Sequence, residues 1–256
     1  YKVFEIWREQ MIHIMIPACG NDQKFLENYW PKNVTEVNGK VMIQYAVENF
    51  NSIPDKKFIF ILNEKECIRF HTDNMVSLLS EENANIITLQ NETGGALCTC
   101  LMGIELINND DELLISNNDQ KFDCDLFEII QDFRQKDADC GVVCFECIHP
   151  RWSFVRVEND LVIETAEKRP ISKKAIAGVY YFKKGKDFVE TAKKTILKGQ
   201  QYDGRYFIST AINEIILQGK KVVSYTVEKE QYHTFYELKQ IEKYEQEMRR
   251  NENYCT

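Results

Sequence analysis

The sequence predicts an α/β protein whose largely parallel sheet is covered by helices on both faces. Through the first half of the chain, apolar runs of strand length alternate with amphipathic stretches of helix length, in the order β-α-β-α-β-α-β-α-β. Strands joined by such helices are typical of parallel pairing, because a crossover connection must bring each strand back in the same direction. The composition agrees, since 256 residues with 44% hydrophobic and 28% charged side chains can bury a complete core.

The individual elements follow from apolar periodicity and turn residues. Predicted strands are 11–18, 57–63, 85–90, 112–117, 139–147, 152–157, 161–166, 176–183 and 222–229, and predicted helices are 40–51, 67–80, 95–108, 125–136, 186–198, 206–218 and 236–250. Between 150 and 183 the pattern changes to three short strands with little helix, which indicates an inserted or edge subregion of the same domain. No repeat, low-complexity tract or linker divides the chain, so we expect one domain over 11–256, preceded at 1–10 by an extension or linker.

Charge and cysteine usage restrict the classes of partner. The net charge is −8, and nucleic acids and anionic membranes are bound mainly through clustered Lys and Arg, so neither is an expected partner. No uncharged apolar run reaches the roughly 18 residues of a membrane helix. The nine cysteines are scattered through core segments, which is typical of free thiols in a reducing compartment, and we expect a cytoplasmic protein.

One group of thiols has the composition of a metal site. Cys140, Cys144, Cys147 and His149 fall on or beside the predicted strand 139–147. Side chains alternate along a strand, so the first two would share one face while Cys147 and His149 take the other. Core packing is therefore favoured over zinc. On the last helix, a stripe of Leu238, Ile241, Tyr244 and Met248 predicts docking on the protein surface, with a partner-binding helix as the alternative.

Candidate chemistry follows the strands, because ligands of open α/β sheets bind beyond the carboxyl ends of the strands. The first strand is followed by small residues up to Gly20, with Lys24 and Lys32 further along the chain. This segment is suited to binding an anion, and the alternative is an ordinary surface loop. After the third strand, Gly94 and Gly95 open an apolar helix. They suit close contact with a flat base or a phosphate, or they allow the helix to pack on the sheet.

Two further places carry charge. Asp119 follows the fourth strand, where a carboxylate could bind a Mg²⁺ ion that bridges phosphates. The alternative is that Asp119 stabilises a turn or caps a helix. Asp123 or Asp125 is the expected cap of the next helix. Glu167 and Lys168 end a later strand, where the lysine could hold a sugar or a phosphate, the alternative being an exposed salt bridge.

Taken in order, these segments resemble the sugar-phosphate nucleotidyltransferases, and most closely the subgroup associated with capsule and surface polysaccharide synthesis. The family pattern G-x-G-x-R is matched by Gly-Asn-Asp-Gln-Lys at 20–24, and its P-K-P-L-x-x-V-x-G-K-P-M-I by Pro-Lys-Asn-Val-Thr-Glu-Val-Asn-Gly-Lys-Val-Met-Ile at 31–43. Asp119-Gln120, His-Pro-Arg-Trp-Ser at 149–153 and Ala-Gly-Val-Tyr-Tyr-Phe at 177–182 also correspond. The resemblance covers about residues 11 to 230.

The resemblance implies a Rossmann-like, three-layer mixed and mostly parallel sheet, and a Mg²⁺-dependent nucleotidyltransferase. A nucleoside triphosphate would be coupled to a sugar-1-phosphate or similar phosphate ester, pyrophosphate would leave, and the product would serve surface-polysaccharide synthesis. By position in the motifs, the triphosphate and metal residues are Lys24, Lys32 and Asp119, with Asp119 as the metal ligand. The nucleotide would contact Ala18, Cys19, Gly20, Gln90 and Gly95, and the acceptor would contact Glu167, Lys168 and Gly178. Cytidine and uridine triphosphates are the first expectations, and a homo-oligomer is possible.

Several positions depart from the family pattern. Asp22 replaces the second glycine of the loop, and Lys24 replaces its arginine and loses the bidentate fork. Asn33 replaces a proline, Arg205 stands where the family's G-E-F-Y-I has glutamate, and Thr234 lies near the place of a second metal-binding aspartate. Two alternatives therefore stay open. One is a nucleotide- or sugar-binding module of this fold with impaired catalysis, and the other is a glycosyltransferase that uses a nucleotide-sugar, which the missing D-x-D pair disfavours.

Overall fold

The computed structural model describes residues 11–20 and 30–254, and most of its strands form one nine-stranded sheet. The strands of this sheet are β1 (Ile12–Ala18), β4 (Lys56–Asn63), β5 (Ala84–Leu89), β6 (Glu112–Ser116), β8 (Cys140–Glu146), β9 (Ser153–Glu158), β10 (Leu161–Glu167), β11 (Lys174–Phe182) and β12 (Val222–Thr226). Two short pairs lie outside it: β2 (Glu36–Val37) with β3 (Lys40–Val41), and β7 (Gln120–Phe122) with β13 (Tyr232–Thr234).

The sheet is mixed and mostly parallel, as predicted. Its order is β10-β9-β11-β6-β1-β4-β5, and β8 pairs with both β11 and β12. The strands β6, β1, β4 and β5 pair in parallel, whereas β11 is antiparallel to β6, β8 and β9. Only β10 and β11 therefore run against the other strands of this sheet. The predicted edge subregion is confirmed for β9 and β10, which end the sheet on one side, but not for β11, which lies in the interior of the sheet and pairs with β6, β8 and β9.

Helices cover both faces and give the three layers. The helices are α1 (Met42–Glu48), α2 (Glu64–Phe70), α3 (Thr72–Leu79), α4 (Ala96–Leu101), α5 (Ile104–Ile107), α6 (Leu126–Gln135), α7 (Gly185–Leu197), α8 (Ile208–Leu217) and α9 (Leu238–Tyr254). Alternate residues of β4 face opposite layers: Phe60 packs in the cluster that holds α1 and α6, and Ile61 in the cluster that holds α7 and α8. Both side chains are fully buried, as expected for a strand covered on two faces.

Several predicted boundaries were wrong, each for a local reason. The predicted helix 67–80 is two helices, because His71 adopts a left-handed conformation with φ 56° and ends α2. The predicted helix 95–108 also divides, at Met102 and Gly103. The strand predicted at 222–229 stops at Thr226, and a 3₁₀ turn at Lys229–Gln231 leads into β13. The strand predicted at 176–183 is not short, since β11 contains nine residues.

The predicted faces of the cysteines and the predicted cap are confirmed. Cys140 and Cys144 are fully buried in the layer of α7 and α8, whereas Cys147 packs against the opposite cluster, so the thiols lie on different faces. Within the described part of the chain, no group of His, Cys, Asp and Glu side chains is arranged to hold a metal ion. Asp125 caps α6, since its side chain accepts a hydrogen bond from the backbone N–H of Phe127 at 2.8 Å.

The last helix docks through three residues of the predicted stripe, whereas the fourth, Leu238, is 39% exposed. Ile241 and Tyr244 are buried in a third cluster with Tyr45 of α1, and Met248 packs against the same cluster. The docked helix fixes the segment before it, residues 234–237, beside the carboxyl ends of the parallel strands. No helix in the described residues is long and apolar enough to span a membrane.

Candidate active site

The carboxyl ends of β1 and β6 bring two predicted segments together. The strands are parallel neighbours, so the residues that follow them emerge at the same edge of the sheet. Lys32 comes from the segment after β1 and Asp119 from the turn after β6. Lys32 Nζ lies 2.7 Å from Asp119 Oδ2, and these side chains are only 13% and 10% exposed. The lysine and the carboxylate predicted to act together therefore share one site.

Asn33 holds this arrangement in place. It is 2% exposed, and its side-chain amide donates to the carbonyl oxygen of Ala18 at 2.9 Å and to Glu66 Oε2 at 2.8 Å. Its side-chain oxygen accepts a hydrogen bond from the amide of Asn118. One buried side chain thus connects β1, α2 and the turn that carries Asp119. The sequence showed Asn33 only as a departure from proline, and its place beside Lys32 was the available signal.

The 234–237 segment closes the other side of Asp119. The backbone N–H of Phe235 donates to the carbonyl oxygen of Asp119 at 2.7 Å, and Thr234 pairs with Gln120 across β7 and β13. Lys32 Nζ also lies 5.5 Å from the ring centre of Tyr236. Thr234 therefore lies next to the turn that carries Asp119, and a place of Thr234 at a metal site stays a prediction.

Gly178 supports the same turn. Its φ is 66°, and a Cβ at this position would lie 2.3 Å from Asn117 Nδ2. Its carbonyl oxygen accepts hydrogen bonds from the backbone of Asn117 at 3.0 Å and from the Gln120 amide at 3.2 Å. The glycine allows β11 to approach the Asp119 turn closely. Contact of Gly178 with an acceptor stays a prediction.

A cavity lies at the carboxyl end of β1. It is lined by the first turn after β1, by the segment that leads into α4, and by one residue from far along the chain: Pro17, Cys19, Gly20, Glu92, Thr93, Gly95, Ala96, Thr99 and Arg205. Cys19 Sγ lies 3.8 Å from the hydroxyl of Thr99, which also lies 2.7 Å from the hydroxyl of Thr93. Burial raises the pKa of the Cys19 thiol, so the thiol is neutral near pH 7. Cys19, Thr93 and Thr99 thus give the lining polar, uncharged groups, while Glu92 and Arg205 give it one charge of each sign.

Gly95 serves a backbone contact in this cavity wall. Its φ is 124°, and a Cβ would lie 2.5 Å from the carbonyl oxygen of Tyr206. Backbone hydrogen bonds join Tyr206 N–H to Gly94 O at 2.8 Å and Leu97 N–H to Tyr206 O at 3.2 Å. The glycine pair therefore accommodates the 202–207 segment, a reason that the sequence did not reveal, and this contact brings Arg205 to the cavity. Contact of Gly95 with a base stays a prediction.

The predicted acceptor residues form the next group. Glu167, at the end of β10, accepts hydrogen bonds from the hydroxyls of Ser153 and of Ser209, the latter at 2.7 Å. The Lys168 ammonium lies above the rings of Tyr202 and Phe207. Because Lys168 pairs with rings, the exposed salt bridge considered for it is wrong. That salt bridge is instead formed by Arg169, with Glu164.

The remaining predicted residues divide into three cases. Ala18 is buried and supports the site through its carbonyl oxygen, and Gly20 lines the cavity. Gln90 is exposed and does not line the cavity. Lys24, with Asp22, lies outside the described residues.

The donor set is suited to magnesium in one respect. Mg²⁺ usually takes one or two carboxylates and completes its shell with water and substrate phosphates. Asp119 supplies one carboxylate, and the Lys32 ammonium already places a positive charge against it. A threonine stands where a second carboxylate would be. One carboxylate is within the number that Mg²⁺ takes, and binding of the metal here stays a prediction.

Comparison with known proteins gives the family. The family model described as "Nucleotidyl transferase" matches residues 27–236. The bifunctional protein GlmU of Caldicellulosiruptor saccharolyticus is 22% identical over 225 residues, which are 84% of this chain and 46% of that protein, so the chain spans less than half the length of this relative.

Solved structures share the fold. A nucleoside-diphosphate-sugar pyrophosphorylase from Vibrio cholerae RC9 is similar with a TM-score of 0.76 and 21% identity, over 91% of this chain and 99% of that chain. A UDP-glucose pyrophosphorylase complexed with UDP-glucose has a TM-score of 0.76 and 16% identity, over 94% and 100%. The inositol-1-phosphate CTP transferase from T. maritima has a TM-score of 0.73 and 12% identity, over 92% and 94%. From the family model, the chain belongs to the sugar-phosphate nucleotidyltransferase family.

Proposed function

We propose that this protein is a Mg²⁺-dependent nucleotidyltransferase that couples a nucleoside triphosphate to a sugar-1-phosphate or similar phosphate ester. The observation that carries the proposal is the contact of Lys32 with Asp119, with a cavity lined by Gly20 at the carboxyl end of β1. Family membership and the fold of pyrophosphorylases support it. The resemblance to the capsule subgroup supports a role in supplying surface-polysaccharide precursors.

In this reaction an oxygen of the acceptor phosphate attacks the α-phosphorus of the triphosphate. The new P–O bond forms as the bond to the β-phosphate oxygen breaks, and pyrophosphate leaves with the bonding electrons. The protein contributes positioning and charge neutralisation. A bound Mg²⁺ would neutralise phosphate charge, with Asp119 as its protein ligand. Lys32, released from the carboxylate, would place its ammonium against the triphosphate, and Lys168 would hold the acceptor phosphate.

The test is pyrophosphate release. The protein is incubated with Mg²⁺, each of CTP, UTP, ATP, GTP and dTTP, and a panel of sugar-1-phosphates and non-sugar phosphate esters. We expect release with one nucleotide and one acceptor class, and loss of release in Asp119→Asn. No release with any combination, from protein shown to be folded, would overturn the proposal.

A second function is favoured by one observation, the uncharged threonine at position 234, which pairs with Gln120 next to Asp119. A site with one carboxylate could bind nucleotide or sugar and turn over poorly. This binding module predicts specific nucleotide binding without pyrophosphate release, and Thr234→Asp should then create activity. Thr234→Ser is the matched control, because it keeps the hydroxyl and adds no charge.

A further inference from the structure

Lys168 stands in an unusual environment for a surface lysine. It directly follows β10 with a left-handed φ of 50°, a conformation that side chains other than glycine adopt at an energetic cost. Its Nζ lies 5.3 Å from the ring centre of Tyr202 and 5.4 Å from that of Phe207. The two rings meet at 74° with their centres 6.4 Å apart. The ammonium is therefore faced by two aromatic rings set nearly at right angles.

The charge of Lys168 is oriented without being neutralised. Across the described residues, no carboxylate oxygen lies within 4.0 Å of its Nζ, and the adjacent carboxylate of Glu167 is occupied by two serine hydroxyls. A ring face attracts an ammonium through its quadrupole, but it takes none of the three N–H donors. A carboxylate partner would have to be displaced before an anion could bind, whereas a ring would not.

We propose that Tyr202 and Phe207 are positioning residues, which hold the Lys168 ammonium directed at the phosphate group of the acceptor. The proposal rests on the proposed function, because it deepens the role of the acceptor site. The group bound at this site is then a phosphate monoester, which the Lys168 ammonium contacts while the two rings hold the ammonium in place.

The segment that carries the rings, residues 202–207, is held in shape by hydrogen bonds within it and at its end. Reciprocal backbone hydrogen bonds join Tyr202 and Arg205 at 2.9 and 3.0 Å. Phe207 is the residue before α8, and its carbonyl oxygen accepts the hydroxyl of Thr210 at 2.6 Å. The same segment places Arg205 at the nucleotide cavity. One short stretch thus links the acceptor lysine to the nucleotide side.

The experiment combines binding and kinetics on the full chain. Isothermal titration calorimetry with glucose 1-phosphate gives the acceptor Kd, and pyrophosphate release gives kcat with separate KM values for acceptor and nucleotide. The variants are Tyr202→Leu, Tyr202→Phe and the double change Tyr202→Leu with Phe207→Leu. Tyr225→Leu is the matched control, because Tyr225 is an exposed tyrosine on β12.

We expect Tyr202→Leu to raise the acceptor Kd and KM about three-fold and the double change about ten-fold, as for one and two exposed cation–π contacts. Tyr202→Phe keeps the ring and should stay within about two-fold of wild type, as should Tyr225→Leu. The nucleotide KM should not move. Unfolding curves of each variant show that the protein is folded.

Several results would overturn the proposal. They are an unchanged acceptor Kd in the double variant, a loss in Tyr202→Phe as large as in Tyr202→Leu, and no binding of glucose 1-phosphate to the wild type. An acceptor Kd that Lys168→Met leaves unchanged would do the same. Glucose 1-phosphate binding that follows the rings, with no pyrophosphate release from any substrate pair, would instead overturn the proposed function and keep the positioning role.

Discussion

Lys32 and Asp119 are nearly shielded from water, so their attraction is weakly screened and each depends on the other. Removing the lysine leaves a largely buried carboxylate without its cation. The carboxylate cannot relax freely into water, because its turn is held by Asn118 and by the backbone of Phe235. Because water screens these charges weakly, the pair is costly to break. For the same reason each charge would interact strongly with a metal-bound triphosphate, with Asp119 binding the metal and Lys32 the phosphates.

We expect Lys32→Met to lower kcat about 100-fold, because a preorganised charge at the reacting phosphates is worth about 3 kcal/mol. It should also lower the free energy of unfolding by about 1–3 kcal/mol. Urea denaturation and pyrophosphate release measure the two effects. The matched control is Lys40→Met, which breaks an exposed pair with Glu48 and should cost less than about 1 kcal/mol. Equal losses in both variants would contradict the assignment of Lys32.

Glu66 gives a prediction for pH dependence. Burial raises the pKa of its carboxyl, and the hydrogen bond from Asn33 only partly opposes this. A carboxyl with a raised folded pKa reduces stability as the pH rises from the unfolded pKa, about 4.3, through the folded value. Glu66→Gln should therefore raise the free energy of unfolding at pH 7, with the gain disappearing at pH 4 and below.

The control for this prediction is Glu64→Gln. Both residues lie in the first turn of α2, so both substitutions lose the same favourable interaction with the helix N-terminus. Urea denaturation at pH 4 and pH 7 separates them: Glu64→Gln should not be stabilising at either pH. A gain for Glu66→Gln that is the same at both pH values would show that the carboxyl is not destabilised by burial.

Among the elements, the glycine turn before α4 and the 202–207 segment depend on each other. We expect Gly95→Ala to lower the free energy of unfolding by about 1–3 kcal/mol, because it adds backbone strain and forces a Cβ against Tyr206 O. It should also weaken nucleotide binding by moving Arg205. Gly199→Ala is the control, with φ 64° and open space around the position, and should cost about 1 kcal/mol. Denaturation and nucleotide titration test both effects, and an equal loss in the two variants would argue against the contact.

The elements differ in how far the sequence could predict them. Strands β1, β4 and β6 are continuous apolar runs buried on both faces, so a local pattern was enough. The pair β7 and β13 was missed for two reasons. A strand of three residues shows no periodicity, and the pairing joins positions that are far apart in the sequence, such as Gln120 and Tyr232. The structural role of Asn33 was missed because its hydrogen-bond partners come from three segments that are separate in the sequence.

For the whole molecule, the site is an assembly of distant segments on a rigid sheet, and the chain order predicted which of them would meet. Lys32 and Asp119 converge because their strands are parallel neighbours, a property that the alternation of elements already implied. The approach of Arg205 and the ring pair around Lys168 depends on the path of a loop, which no periodicity encodes.

The convergence of these segments predicts how the whole fold responds to ligand. A nucleotide at 100 times its Kd should raise the free energy of unfolding by about 2.7 kcal/mol, or Tm by about 5–10 °C for a chain of this size. Only the matching nucleotide should do so, and Mg²⁺ should enlarge the shift. In Asp119→Asn the nucleotide shift should persist in part while its enhancement by Mg²⁺ disappears, because the metal would lose its protein ligand. A Tm panel with and without Mg²⁺ measures this, and an enhancement that survives in Asp119→Asn would place the metal elsewhere.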